Sequence, residues 1–337
     1  MEILKNFNLL SDPYFSDRYA SAYLHRLEGE SLFSFIYSSG LEVFKSLSIK
    51  RPLPKEVSKL FEREYFDLQT AYGYGGYYSN SNDSNFIKSA VKALNERCQK
   101  ESIIAEFIRF HPFNNISKFK EIELDFMSVD RQTVFIDLTK SKTQRWSEYS
   151  PTTRNILRKS ELSLEIIETN DLDSFIRIYY EAMAKNNAST EYFFKRQYFE
   201  KLLAMPQVKL FCVRNATSII NMSFMMFGET IAHYHLSANV AEYVNLGGNY
   251  FLIDRLCDFI KEKFPNITGM HLGGGRTKSK EDSLFKFKKK FSKIETNFVI
   301  GGKIFNSNIY ELACKNTMNV GNQFLSYRSS SSSSYLL

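Results

Sequence analysis

The sequence predicts an α/β (α+β) protein of two domains, each a mixed, mostly antiparallel twisted sheet flanked by helices. Three observations carry this. The chain has 337 residues, more than one ordinary domain holds. Its 43% hydrophobic and 24% charged residues suit a packed core. Short β-type alternations interleave with helix-period stretches, and the order strand, glycine turn, helix, strand occurs in both halves.

In the first half, residues 32–37 and 41–47 alternate as a strand pair, and 64–71 as another strand. The turn Tyr72-Gly73-Tyr74-Gly75-Gly76 precedes a helix over 84–99 and a strand over 103–110. Residues 122–128 and 133–138 read as a hairpin about 129–132. The polar stretch 139–153 reads as the boundary, giving domains 1–150 and 151–325 and a tail 326–337. Six consecutive serines, 329–334, make that tail an expected disordered segment. In the second half, 163–169 alternates as a strand. Asp171 caps a helix over 171–185, and a second helix covers 191–204. Strands follow at 208–214, 218–227 and 231–237. A Gly247-Gly248 turn starts a helix over 249–264, and a strand over 267–272 runs into Gly273-Gly274-Gly275. A short basic helix and two last strands, 294–300 and 303–312, joined at Gly301-Gly302, complete the order.

Composition excludes several classes. No apolar stretch approaches the ~20 residues of a membrane span, and Met1-Glu2-Ile3-Leu4-Lys5-Asn6 has no signal-like apolar core. The four cysteines, 98, 212, 257 and 314, form no Cys-x-x-Cys pair, so neither a disulfide framework nor a metal site is expected and the cytoplasm is the default. The net charge is +7, and residues 276–293 alone carry eight Lys/Arg against two acids. That concentration suits a solvated helix face or a local phosphate site. Nucleic acid is not an expected partner of the whole surface. Exposed Phe and Tyr leave a homodimer interface open.

The element order, with Tyr72-Gly73-Tyr74-Gly75-Gly76, Phe110-His111-Pro112, Thr153-Arg154-Asn155-Ile156-Leu157-Arg158-Lys159 and His271-Leu272-Gly273-Gly274-Gly275 followed by Asp282-Ser283-Leu284-Phe285-Lys286-Phe287-Lys288, resembles the FemAB-like branch of the GNAT acetyltransferase superfamily. The resemblance covers about residues 1–315 and implies two GNAT-like domains in tandem. It implies N-acyl transfer from one of two donors. Some members take an amino acid from aminoacyl-tRNA to build peptidoglycan bridges. Others resemble acyl-CoA-dependent enzymes that acylate dTDP- or UDP-linked amino sugars for O-antigen or capsule-type lipopolysaccharide. The chain has no match to the long helical hairpin arm of some tRNA-dependent members, which favours acyl-CoA. A non-catalytic carbohydrate-binding protein is the reading from another class.

The candidate site residues follow. Asn245-Leu246-Gly247-Gly248-Asn249, running into Tyr250, offers free N–H groups at a helix start, and the resemblance implies CoA pyrophosphate there. The alternative is a structural turn ahead of an Asn249 cap. The resemblance implies that the strand 231–237 splays from the next at its end and that acyl-CoA lies in the gap, which makes backbone N–H groups near Leu236 and Ser237 candidates to polarise an acyl carbonyl. His233 and His235 share a strand face, and an ordinary pKa near ~6.5 makes either a candidate base, or else a core histidine. On the basic helix, Lys288 falls ~40° from Leu284 on the wheel, inside the apolar arc. It is the candidate for a ligand or transition-state role, or else snorkels past the phenylalanines to solvent, while Lys286 and Lys289 touch CoA phosphates or solvent. Tyr72, Tyr74, Gly75 and Gly76 are candidates to shape an acceptor pocket. Arg109 and His111 end the next strand on the acceptor side. Arg154 and Arg158, one helical turn apart, could grip a diphosphate, and Tyr192 is a further acceptor candidate.

Overall fold

A computed structural model of the chain describes residues 7–24, 26–114, 119–315 and 324–328. In chain order the elements are α1 (Asp17–Tyr23), β1 (Ser31–Ser39), β2 (Glu42–Pro52), α2 (Lys55–Ser58), β3 (Phe66–Gln69), β4 (Gly76–Ser79), α3 (Ser84–Lys100), β5 (Ile103–Arg109) and β6 (Phe126–Asp137). Next come α4 (Lys142–Glu148), α5 (Pro151–Glu161), β7 (Glu165–Thr169), α6 (Leu172–Lys185), α7 (Arg196–Leu203), β8 (Val208–Arg214), β9 (Ile219–Phe227) and β10 (Ile231–Asn239). The chain then forms α8 (Gly248–Lys263), β11 (Gly269–Gly274), α9 (Ser283–Lys288), β12 (Ile294–Ile304) and α10 (Ser307–Lys315). Among the described residues no helix is long and apolar enough to cross a membrane.

The chain divides into two compact units. The first comprises Tyr14–Asp130, Ser189–Glu191 and Phe298–Leu337, the second Met1–Pro13, Arg131–Ala188 and Tyr192–Asn297. The division departs from a single cut at residue 150. The stretch 139–153, expected as a linker, instead holds α4 and the start of α5, and its capping box joins Ser141 to Gln144. The proposed tail boundary also shifts, because Leu325 and Tyr327 are buried in the first unit. The serines 329–334 lie outside the described residues.

In the first unit the strand order is β1-β2-β3-β5, with β4 also on β2. β3 and β5 are parallel, and the β1–β2, β2–β3 and β2–β4 pairs are antiparallel. α3 buries Phe86, Ile87, Ala90, Leu94 and Cys98, a stripe at near-helical spacing, among Phe44, Leu68, Tyr77 and Ile108. On the other side Ala313 of α10 and Tyr327 pack with Ile104, Ala105 and Phe107.

In the second unit the order is β6-β11-β10-β9-β8-β7. β10 and β11 are parallel; β11–β6, β10–β9, β9–β8 and β8–β7 are antiparallel. α8 lays Phe251, Leu252, Leu256 and Ile260 over Ala232, Met225, Met270 and Val134. The other face carries rings from α6 and α7: Phe175 lies edge-on to Phe224 at 4.7 Å and Phe199 stacks near it at 6.3 Å. Asp171 caps α6 as its sequence predicts, accepting from Ser174 N–H at 3.0 Å.

Three expectations fail for physical reasons. Residues 122–138 form no hairpin; β6 is one continuous strand. Its middle, Val129-Asp130-Arg131-Gln132, lacks the Gly or Asn that a tight turn with positive φ needs. The two last strands are one strand, β12, followed by a helix, α10. Gly301 and Gly302 make no turn there. A Cβ on Gly301 would fall 2.9 Å from Phe110, and one on Gly302 2.3 Å from Phe126, so these glycines admit rings flat against the strand. The helix expected over 191–204 is a 3-10 turn at Thr190–Tyr192 and then α7.

Candidate functional site

β10 and β11 pair through three residues only, Ile231↔Gly269, Ala232↔Met270 and His233↔His271. β10 then runs on to Asn239 and β11 to Gly274 with no further pair between them. Each strand is irregular where they part. β10 has a bulge between Tyr234 and Leu236 against β9, and β11 one between His271 and Gly273 against β6. A bulge adds a residue, bends its strand and raises its twist, so two at the same level open the sheet. Val240 N–H donates to Ile220 C=O at 3.0 Å. By the alternation of an antiparallel ladder, the N–H groups of Ser237 and Asn239 then face away from β9, into the opening. Leu236 faces the other way, and its carbonyl accepts from Ser223 Oγ at 2.9 Å. Of the two backbone positions expected at an acyl carbonyl, Ser237 alone therefore has the right orientation.

After β10, residues Ala241–Leu246, including Asn245, form a 3-10 turn, and Gly247 adopts a left-handed conformation at φ 75°. α8 starts there with no side-chain cap, so the N–H groups of Gly248, Asn249 and Tyr250 have no carbonyl of their own helix to bond. Packing also demands these glycines. A Cβ on Gly247 would lie 2.5 Å from Ile156 Cγ2, and one on Gly248 2.7 Å from Ile220 Cγ2. The Asn249 side chain bonds Asn221, which departs from an N-cap role. Tyr250 OH accepts from Lys290 Nζ at 2.7 Å. Lys286 pairs with Glu281 and Lys289 with Glu295, so neither is held ready for a phosphate.

Lys288 lies where the wheel places it. It is buried, its Nζ donates to the carbonyl of Gly274 at 2.7 Å, and no carboxylate lies within ion-pair distance among the described residues. Burial pushes its pKa down to about 7, Arg131 adds to the fall, and Asp282 opposes it. Gly274 is the last residue of the free arm of β11. The chain beyond is fastened by Asp282, whose carboxylate caps α9 through Leu284 and Phe285 N–H and accepts from Thr277 N–H. Arg131 donates to the carbonyls of Gly275 and Arg276.

The two histidines leave β10 on the side away from α8, since Ala232 and Tyr234 pack toward that helix. His233 is buried and its Nε2 lies 2.6 Å from Asp12 Oδ2. The His233 and His271 rings meet edge to face at 5.6 Å. His235, the extra residue of the bulge, has Nε2 2.8 Å from Tyr198 OH. Desolvation, with His233 nearby, pushes its pKa down to about 3, so it is neutral at physiological pH.

The remaining candidates do not converge as expected. Arg154 donates to the carbonyls of Tyr149 and Trp146, capping the end of α4, and Arg158 bonds Asn155 on its own helix. They form no fork for a diphosphate. The Tyr192 carbonyl accepts from Tyr179 OH at 2.8 Å. In the first unit, Tyr19 OH bonds the Tyr72 carbonyl, and the Tyr74 ring lies edge-on to Tyr14 at 5.3 Å and to Phe298 at 5.2 Å. The Tyr74 ring also meets His111 at 5.8 Å, and the Gly75 carbonyl accepts from His111 N–H. Gly76 lies against Phe110, where a Cβ would come within 2.5 Å. His111 is buried. Arg109 is half-buried over the Phe107 ring at 5.0 Å, and Tyr72 and Tyr74 are half-buried as well.

Sequence reading missed Asp12, Asn221 and Glu106. Asp12 and His233 are 221 residues apart, and nothing local links them. Asn221 sits in an apolar run that reads as a buried strand. Glu106 is fully buried, accepts from Ser48 Oγ and Tyr77 OH, each at 2.6 Å, and is pushed up to about 7 by desolvation. A lone acid inside Ile-Ile-Ala-Glu-Phe-Ile was the available signal.

No family model matches the chain, and no curated protein matches it in sequence. Solved structures do match. FemX superposes with a TM-score of 0.69 at 12% identity, covering 92% of this chain and 96% of that one. The C-terminal domain of a putative lysylphosphatidylglycerol synthetase from Agrobacterium fabrum gives 0.51 at 14% identity, covering 86% and 91%. The chain has the fold that its motifs resemble, the FemAB-like form of the GNAT fold.

Proposed function

We propose that the protein is a cytoplasmic N-acyltransferase that moves an acyl group from acyl-CoA to the amino group of a dTDP- or UDP-linked amino sugar, the kind of building block used in surface polysaccharides. The observation that carries this reading is the opening between β10 and β11, with Ser237 N–H turned into it and buried Lys288 bonded to the end of the β11 arm. The donor lies along the free arm of β10, with its phosphates at the first turn of α8. The uncharged sugar amine attacks the thioester carbonyl. A C–N bond forms, the C–S bond breaks, the thiolate leaves, and the amine proton passes to a base or to solvent. Ser237 N–H stabilises the oxyanion. Lys288 is poised near neutrality and acts on the same charge when protonated.

Attack is direct. Burial pushes the Cys98 thiol upward, Cys212 to about 11 and Cys257 to about 12, so none of these three is a ready thiolate. A second reading has aminoacyl-tRNA as donor. The likeness to FemX over 92% of the chain and the basic run 276–293 favour it. Calorimetric titration with CoA, then with dTDP- and UDP-amino sugars, separates the two. Micromolar CoA binding supports acyl-CoA. No CoA binding by the folded protein, with steeply salt-dependent binding of charged tRNA, supports the second donor.

A further inference from the structure

Asn221 lies on β9 and is fully buried. Its amide nitrogen is 3.1 Å from Ser237 Oγ, 2.9 Å from the Ala238 carbonyl, 3.0 Å from Asn239 Oδ1 and 2.6 Å from Asn249 Oδ1. An amide NH2 has only two hydrogens, so these acceptors outnumber what it can serve. Its own Oδ1 is buried without a hydrogen-bond partner. Turning the amide over leaves the nitrogen as the unpaired end instead, so the imbalance does not depend on its orientation.

The four acceptors belong to two places. Ser237, Ala238 and Asn239 are the free arm of β10, the segment released from β11. Asn249 is in the first turn of α8, just after Gly248, whose N–H has no carbonyl of its own helix to bond. One buried amide therefore fastens both backbone surfaces. The fastening is close, since a Cβ on Gly248 would lie 3.6 Å from Asn221 Cβ.

We infer that Asn221 is a positioning residue for the acyl donor, fixing the free arm of β10 against the first turn of α8 so that one ligand can reach both. The inference rests on the function proposed above. It also assigns a ligand chemistry. Because two amide hydrogens cannot serve Ser237 Oγ, the Ala238 carbonyl, Asn239 Oδ1 and Asn249 Oδ1 together, the donor presents N–H groups to this cluster, as the amides of a pantetheine arm or the amine of an aminoacyl group would. Such a group completes the hydrogen bonding that the protein alone leaves short.

The test uses the full-length chain with Asn221→Ala, and Asn249→Ala as the milder variant that cuts only the α8 link at a half-buried position. Hydrogen exchange is followed over 236–240 and 248–251, and CoA affinity by titration. Asn221→Ala is expected to speed exchange in both segments together and to weaken CoA at least tenfold, while KM for the acceptor stays put. Asn249→Ala is expected to loosen 248–251 and to weaken CoA less. Wild-type exchange in both segments of a folded Asn221→Ala protein overturns the inference. So does faster exchange with unchanged CoA affinity. Wild type that binds charged tRNA and not CoA moves the same comparison to the tRNA donor. Wild type that binds neither sinks the proposed function and the donor role together, whereas the exchange data still decide whether Asn221 fastens the two segments.

Discussion

Lys288 was legible from local periodicity, because six residues of helix suffice to turn a lysine inward. Its depressed pKa was not, because that depends on what surrounds it. Unfolded, the amine holds its proton to about 10.5; folded, it releases it near 7. Between these values the unfolded chain binds more protons, so stability rises with pH across about 7 to 10.5, and the cost is fully present below 7. Lys288→Met removes that slope, and the difference in unfolding free energy between the two proteins, measured by denaturant titration, should shrink as pH rises through this window. Its kcat should fall ~100-fold or more if the amine stabilises the oxyanion. Glu106 has the opposite sign. Its pKa rises from 4.5 to about 7 on folding. The folded chain binds more protons between those values, so stability falls as pH climbs through them. Glu106→Gln should flatten that limb, which is worth about 3 kcal/mol at full extent. The Asp12–His233 pair and Asn221 left no mark in the sequence, since their partners come from distant segments or from an adjacent strand.

At the level of elements, the strand, Gly-Gly turn and helix of the second unit were readable, since alternation and helical period are local. The bulges that open β10 from β11 were not. A bulge at His235 carries no glycine and looks like ordinary alternation. The same limit explains β6 and β12, where Asp130 and Gly301-Gly302 imitate turns. Gly248 lets the start of α8 sit on Ile220. Gly248→Ala should therefore destabilise the protein by about 1–3 kcal/mol through overpacking, seen as a lower thermal midpoint, and should weaken donor binding beyond that loss of fold.

For the whole molecule, two units could be foreseen from length and the repeated order, but not their segments. A boundary written into composition at 139–153 is a helix in space, because polar residues that cap and pair look like a linker in one dimension. The units are interleaved. The first takes residues beyond 298, where Ile300–Ile304 pair with β5 and where Tyr327 and Arg328 close on the buried carboxylate of Asp67. A fragment ending at residue 150 lacks these pieces. It should fail to give a cooperative unfolding transition, and adding a peptide of 298–337 should restore one. During synthesis, which proceeds from the N-terminus, the second unit has all its segments once residue 297 has emerged. Most of the first unit, Tyr14–Asp130, is made before most of the second, yet its last segment begins only at Phe298. Tyr14–Asp130 thus waits on a segment made after nearly all of the second unit, with β5 and Asp67 exposed to solvent, chaperones and stray strands until Ile300–Ile304 and Tyr327–Arg328 have emerged.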